Sequence, residues 1–170
     1  MIRFNDIHAI KLIARACEVD FVPVLHHCIA EYDGNDRLKG GVLFTGYRSG
    51  SVSIHMAGFC KNWVSRPMVY LAFDYPFRQL GVKKLYGMVP ERNPKALKND
   101  VHLGFKIEYL TRDVYNYEDG VNGVYLLSMY RDDCRWLKMK MPTITYAPPE
   151  RTNPLPRNPL TDVPTVGMMQ

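Results

Sequence analysis

Residues 84–105, KLYGMVPERNPKALKNDVHLGF, carry the pattern from which we predict the fold of this chain. The first seven of these residues read as a strand, and a polar, helix-favouring run follows them. Asn93 is a preferred N-cap, Pro94 suits the first helical position, and Gly104 can adopt the left-handed conformation that ends many helices. The stretch therefore predicts a strand followed by a well-capped helix. The caps stabilise a helix in any protein, so by themselves they do not indicate a function.

Toward the N-terminus, the sequence predicts a short edge strand, two helical segments and a three-stranded antiparallel meander. The helical segments are an amphipathic helix over residues 6–18, with Asn5 or Asp6 as its N-cap, and a short turn over residues 22–25. Tight turns rich in Gly, Asn, Asp and Ser separate the meander strands. The predicted strands cover residues 2–4, 28–33, 41–47 and 52–59.

Toward the C-terminus, an apolar stripe predicts a helix over residues 69–80 that is kinked at Pro76 and ended by Gly81. Two further strands, over residues 106–115 and 121–131, complete the domain. The predicted fold class is α/β (α+β), with a mixed, mostly antiparallel curved sheet of six to seven strands and helices on both faces.

The composition changes after Leu137, where prolines accumulate at positions 148, 149, 154, 156, 159 and 164. Such a segment cannot form a regular core element. We therefore predict a domain over residues 1–137 and a proline-rich, extended or disordered arm over residues 138–170. The arm is expected to lie on the domain or on a neighbouring subunit, which would make a homodimer.

Composition limits the classes of function. The 170 residues fit one domain, 46% of them are hydrophobic, and the formal net charge is +5. This mild charge suits a nucleic acid, an acidic protein or a phosphate-bearing cofactor without choosing among them. Because no dense Lys/Arg block or aromatic platform is present, a nucleic-acid partner is disfavoured.

The cysteines and the N-terminus indicate a compartment. The four cysteines are scattered without CxxC spacing, the N-terminus does not resemble a signal peptide, and no apolar run approaches the ~18 residues of a membrane span. We expect a soluble cytoplasmic protein with reduced thiols and no membrane partner, in the host cytoplasm if the protein is viral. His26, His27 and Cys28 do not predict a metal site, because neighbouring strand residues point to opposite faces.

The segment from Phe77 to Phe105 resembles the second half of the cofactor fold of the GNAT N-acetyltransferases. The motif residues are Phe77, Leu80, Gly81, Leu85, Val89, Asn93, Ala96, Gly104 and Phe105. The strands around residues 28–59 are similar to the central hairpin of that family. The resemblance covers about residues 1–135 and is nearest to the branch that acetylates the N-termini of ribosomal proteins.

This resemblance implies acetyl-CoA as the cofactor. In the family, two neighbouring strands, here ending at residues 56–59 and spanning residues 84–90, splay apart and admit the pantetheine arm between them. The arm makes sheet-like hydrogen bonds with the first strand, and the start of the next helix binds the pyrophosphate. The implied cofactor-binding residues are Met56, Ala57, Gly58, Phe59, Val64, Ser65, Arg66, Asn93 and Ala96.

The pyrophosphate loop departs from the pattern of the family. The usual glycines are absent from residues 62–69, although glycine lets a backbone approach phosphate closely. Ser65 can still cap a helix there, and Arg66 can supply positive charge directly. Trp63 is expected to pack in the core rather than on the cofactor, and Lys83, Lys84, Lys95 and Lys98 form a solvated face or contact the 3′-phosphate.

Acetyl transfer by direct attack requires a neutral amine, so a base assists and the leaving thiolate takes a proton from an acid. Many members of the family use a tyrosine as that acid, seven positions after the asparagine, where this chain has Asp100. His55, in mid-strand beside the expected gap, and Glu91, at the end of the second strand, are the candidate bases. Tyr125, with Tyr130 as an alternative, is the candidate acid.

Three functions are compatible with these sequence features. The first is an acetyl-CoA-dependent N-acetyltransferase that acts on a protein N-terminus, a lysine or a small molecule. The second is a GNAT-like binding or structural protein without turnover, which the altered loop and the missing tyrosine would suit. The third, a nucleic-acid-binding module, depends on net charge alone.

Overall fold

The computed structural model describes residues 1–20 and 27–145, and a single sheet of seven strands runs through them. The strands are β1 (Ile2–Phe4), β2 (His27–Tyr32), β3 (Leu38–Arg48), β4 (Ser51–Gly58), β5 (Lys84–Pro90), β6 (Lys106–Thr111) and β7 (Val124–Tyr130). The α-helices are α1 (Ile7–Ala16), α2 (Arg66–Asp74) and α3 (Pro94–Leu103). A π-helical turn covers Tyr75–Gln79, and 3₁₀ turns cover Arg131–Asp133 and Arg135–Lys138.

The spatial order of the strands is β1-β2-β3-β4-β5-β7-β6. Strands β1 to β4 form an antiparallel meander, and β5, β7 and β6 form a second antiparallel group. The two groups meet where β4 pairs with β5 in parallel. The predicted mixed, mostly antiparallel sheet of six to seven strands is therefore confirmed.

Helices cover both faces of this sheet, as predicted. On one face, α1 packs its buried Ala9, Ile10 and Ile13 against Cys28 and Leu43. On the other face, α2 and α3 pack against a larger core that includes Phe44, Val52, Phe73, Leu85 and Leu127. Large buried side chains fill this second layer, and burial of such side chains is the main source of stability in a domain of this size.

The predicted helix caps are present in the structure. The Asp6 carboxylate accepts hydrogen bonds from the amides of His8 and Ala9 at the start of α1. Asn93 accepts from the Ala96 amide at 3.0 Å and so caps α3. Gly104 ends α3 with φ 109°, a backbone conformation that residues other than glycine rarely adopt.

The predicted bounds of three elements, one helix and two strands, are wrong. The helix expected over residues 69–80 begins at Arg66, because Ser65 caps it, and it changes at Tyr75 into the π-helical turn that contains Pro76. Strands β6 and β7 are shorter than expected, because Asp113 has positive φ and Asn122 binds the intervening loop. The Asn122 side chain accepts from the Tyr117 amide at 2.8 Å.

Parts of the predictions lie outside the described residues, namely the turn over residues 22–25, His26 and the arm beyond residue 145. The carbonyl of Thr145 accepts a hydrogen bond from the Ile2 amide at 2.8 Å, so the chain runs alongside β1 at that point. Within residues 1–20 and 27–145, none of the helices has the length and apolar character that a membrane span requires.

Candidate active site

A wedge opens between the two central strands. Strands β4 and β5 pair at Ser51–Lys84, Val52–Leu85 and Ser53–Tyr86, and no pairing joins residues 54–58 to residues 87–90. Over those residues β4 stays paired with β3, and β5 stays paired with β7. Because each strand is held by its outer neighbour, the wedge is a fixed feature of the sheet.

The inner edge of β4 carries backbone acceptors that face the wedge. A Cβ placed on Gly87 would lie 3.5 Å from the carbonyl oxygen of Ile54, so that carbonyl points toward β5. The Cys17 thiol donates to the carbonyl oxygen of Met56 at 3.6 Å, so this second carbonyl also points inward. Alternate residues of a strand thus present their backbone to the wedge, where an extended ligand could pair with it.

The wedge widens into a cavity of about 350 Å³, within the size range of small-molecule sites. Its walls come from the end of α1, the diverging halves of β4 and β5, the start of α3, and the loop between β6 and β7. The residues that carry titratable or charged side chains are Cys17, Glu18, His55, Arg92, Asp100 and Tyr117.

Glu18 and Tyr117 join two walls of this cavity. The Tyr117 hydroxyl donates to the Glu18 carboxylate, although the two residues are 99 positions apart. The Arg92 guanidinium lies 4.1 Å from the centre of the Tyr117 ring, and the Tyr115 ring stacks on that of Tyr117 with their centres 4.9 Å apart. Burial and the bond to Glu18 raise the pKa of Tyr117 to about 12, so its hydroxyl stays protonated at neutral pH.

Asp100 of α3 and Cys17, the residue that follows α1, line the same cavity. Burial raises the pKa of the Asp100 carboxyl to about 6. Burial and the nearby Asp100 charge raise the pKa of the Cys17 thiol to about 11, so this thiol is un-ionised at neutral pH. The two groups therefore lie in a partly desolvated environment.

Four of the predicted site residues line the cavity, namely His55, Met56, Asn93 and Ala96. His55 is 8% exposed, and its Nε2 lies 2.9 Å from the Thr45 hydroxyl and 3.2 Å from the Ser53 hydroxyl. These contacts hold the imidazole in one orientation. Asn93 and Ala96 belong to the first turn of α3, which opens onto the wedge.

The other predicted catalytic residues lie beside the cavity rather than in its wall. The Glu91 carboxylate forms an ion pair with Arg112 at 3.0 Å. Tyr125 is half-buried on β7, paired with Val89, and packs against the larger core. Tyr130 is paired with Lys84, the first residue of β5, where β5 is still paired with β4. Tyr130 is therefore remote from the wedge.

The predicted pyrophosphate residues lie beyond the end of β4, at the start of α2. Ser65 accepts from the Met68 amide at 3.2 Å, and its hydroxyl donates to Glu31 at 2.6 Å. Lys39 pairs with the same carboxylate at 2.9 Å. An internal carboxylate thus already lies at the N-terminus of α2, the end of a helix that attracts anions. Val64 and Arg66 are exposed.

Trp63 covers the end of β4. A Cβ placed on Gly58 would lie 2.0 Å from the indole ring, and one on Gly40 would lie 2.4 Å from it, so both glycines are needed for this contact. Trp63 is half-buried against the larger core, as expected. Of the remaining predicted cofactor residues, Ala57 packs toward α1 and Phe59 is exposed.

The pair His27 and Cys28 shows the expected alternation. The His27 ring contacts the Tyr75 hydroxyl at 3.0 Å on the α2 face, whereas Cys28 is buried in the core on the α1 face. The two side chains therefore cannot share one metal ion. Within residues 1–20 and 27–145, no group of three His, Cys, Asp or Glu side chains could hold a metal.

Sequence comparison finds no matching family and no matching curated protein. Structural comparison does find similar solved structures, among them spermidine/spermine N-acetyltransferase SpeG from Vibrio cholerae in complex with manganese ions. That structure is 16% identical with a TM-score of 0.63, over 78% of this chain and 92% of the other. A chimera of the Vibrio cholerae enzyme with hSSAT is also 16% identical, with a TM-score of 0.63 over 81% and 98% of the two chains.

Glutamate-to-glutamine mutant forms of the Vibrio cholerae enzyme give a TM-score of 0.64 at 16% identity, over 81% of this chain and 97% of the other. Similarity at this level of identity establishes a common fold. The mixed, mostly antiparallel seven-stranded sheet with helices on both faces matches the GNAT fold of these structures.

Proposed function

We propose that this chain is an acetyl-CoA-dependent N-acetyltransferase, which moves an acetyl group to a primary amine by direct attack in a ternary complex. The observation that carries the proposal is the wedge between β4 and β5 together with the cavity behind it. A sheet interrupted in this way leaves backbone groups unpaired, and a native fold keeps such groups where a ligand uses them. A thioester on an extended arm has the shape that the wedge admits.

The described residues fit the pantetheine arm better than they fit the pyrophosphate. The inward carbonyls of Ile54 and Met56 can accept hydrogen bonds from the amides of the arm. At the start of α2, in contrast, Glu31 already binds Ser65, and Pro67 removes one backbone donor. Arg66 is exposed there and is the residue that we assign to the phosphates, helped by the exposed Lys95 and Lys98 of α3.

The acceptor in this proposal is a primary amine, and two classes are to be tested. The resemblance to the branch that acetylates ribosomal proteins favours a protein N-terminus, and lysine is chemically equivalent. The similar fold of spermidine N-acetyltransferases favours a small polyamine. A primary amine of either class is a cation until it loses a proton. The carboxylates of Glu18 and Asp100 in the cavity can attract such a cation. We also propose that the proline-rich arm predicted over residues 138–170, most of which lies outside the described residues, joins two copies of the chain.

The alternative is a GNAT-like binding or structural protein without turnover. The carboxylate at the start of α2 and the aspartate at position 100 favour this alternative, since both depart from the pattern of the family. Among the predicted catalytic residues, His55 lines the cavity, whereas Glu91 and Tyr125 would have to act from its edge.

Two measurements separate these functions. Isothermal titration with acetyl-CoA is expected to show binding at one site per chain, which supports the cofactor assignment. A thiol-release assay over spermidine, lysine and a short peptide with a free N-terminus is then expected to show turnover with at least one amine. Binding without thiol release would support a GNAT-like binding protein without turnover. Absence of binding would contradict the proposed enzyme and support a structural protein.

A further inference from the structure

One face of α3 is turned toward the cavity. Asn93, Ala96 and Asp100 all line it, and their spacings of three and four residues put them in one stripe of the helix. The first two residues of the stripe are an N-cap and a small side chain. Asp100 is therefore the residue by which α3 brings an ionisable group into the cavity.

The Asp100 carboxyl has no structural task in the described part of the chain. Its backbone carbonyl accepts from the amides of Gly104 and Phe105, and this contact ends the helix. Within residues 1–20 and 27–145, however, no hydrogen bond or ion pair involves its side chain. The neighbouring carboxylates are committed, since Glu18 binds Tyr117 and Glu91 pairs with Arg112. A half-buried carboxyl without a partner is costly and is typical of a functional site.

We propose that Asp100 is the proton-transfer residue of the acetyl transfer described above, and this inference rests on the proposed function. Its carboxylate takes the proton that the attacking amine loses as the carbon–nitrogen bond forms. The resulting carboxylic acid gives that proton to the sulfur as the carbon–sulfur bond breaks. One amine and one thioester thus become one amide and one thiol, and Asp100 returns to its ionised form.

The environment of the carboxyl suits this cycle. A pKa of about 6 leaves most of the carboxyl ionised at neutral pH, and a base works best when its pKa lies near the working pH. The titratable or charged groups that line the cavity with it are Cys17 and Glu18 just after α1, His55 of β4, Arg92 before α3, and Tyr117 of the β6–β7 loop. Cys17 and Tyr117 hold their protons at neutral pH, and Arg92 is a cation that cannot accept a proton. Glu18 and His55 are hydrogen-bonded to other side chains.

The test compares the wild-type chain with Asp100→Asn and Asp100→Glu. The value of kcat/KM is measured by thiol release from about pH 5 to about pH 8.5, with acetyl-CoA and spermidine, or with the best amine of the panel where spermidine is not acetylated. The ratio of wild type to Asp100→Asn cancels the titration of the amine itself. Isothermal titration with coenzyme A checks that the amide variant still folds and binds the cofactor.

The ratio is expected to rise with pH, to reach half of its final value near pH 6, and to level off at roughly 100-fold. Asp100→Glu is expected to recover part of the activity and to keep the pH-dependent rise. A ratio that stays flat, or one that falls as pH rises, would overturn the role of Asp100 while leaving the proposed function intact. Absence of thiol release from the wild type would overturn both.

Discussion

The Asp100→Asn substitution is expected to make the protein more stable at neutral pH. The Asp100 pKa rises from 3.8 to about 6 on folding because burial disfavours the charged form. Two pKa units correspond to about 3 kcal/mol, and partial exposure of the side chain reduces this to roughly 1–2 kcal/mol. An asparagine of the same shape carries no charge, so the variant avoids that cost.

The sign of the pH dependence follows from the raised pKa. Below the unfolded-state value of 3.8 the carboxyl is protonated in both states and costs nothing, and the full cost is present above about pH 6. Urea unfolding of wild type and variant at about pH 5 and about pH 7.5 should therefore show a difference that grows with pH. Asp132→Asn, at a carboxylate that is 93% exposed, serves as the control and should change little at either pH.

A lower stability of Asp100→Asn at both pH values would refute this reasoning. It would mean that the carboxyl makes a favourable contact in the folded chain. A gain that does not change with pH would also contradict it, because the gain would then not come from ionisation. The expected outcome places Asp100 among residues that reduce stability and are retained for activity.

Three further predictions concern the wedge and the helix that borders it. Gly87→Leu should lower the affinity for acetyl-CoA by at least about tenfold in isothermal titration, because the leucine side chain would fill the wedge. It should change stability by less than about 1 kcal/mol, because a Cβ at this position makes only ordinary van der Waals contact. Gly104→Ala should cost roughly 1–2 kcal/mol in urea unfolding, because alanine is strained at φ 109°, whereas Gly50→Ala, in open space, should cost little. Iodoacetamide should modify exposed Cys60 faster than Cys17, whose raised pKa of about 11 keeps it a thiol, and coenzyme A should protect Cys17 alone when the products are measured by mass spectrometry. Unchanged cofactor affinity, equal costs for the two alanines, or protection of both thiols would contradict the respective prediction.

Local features of the fold could be predicted from the sequence because each depends on a few neighbouring residues. Asn93 caps the start of α3, and Gly104 ends it in the left-handed conformation that glycine readily adopts. Asp6 caps the start of α1. Pro76 is expected to disturb its helix, and it lies in a π-helical turn. The pattern does not give the form of that disturbance, because the choice between a kink and a wider turn depends on how the helix packs.

The site was less predictable because its walls come from distant parts of the chain. The bond between Glu18 and Tyr117 joins residues 99 positions apart, and no local pattern indicates it. Asp100 was visible in the sequence only as a departure from a tyrosine. Its raised pKa follows from its burial in the cavity that α3 shares with α1 and β4. The carboxylate of Glu31 at the start of α2 likewise depends on the pairing of β2 with β3.

A crystal structure of the chain with coenzyme A bound would show whether the wedge between β4 and β5 holds the cofactor. We expect the pantetheine arm to lie between β4 and β5, with its amides on the inward carbonyls of Ile54 and Met56 and its sulfur in the cavity that Asp100 lines. Coenzyme A bound outside the wedge, or β4 and β5 paired along residues 54–58 and 87–90 in crystals grown at saturating coenzyme A, would contradict this expectation.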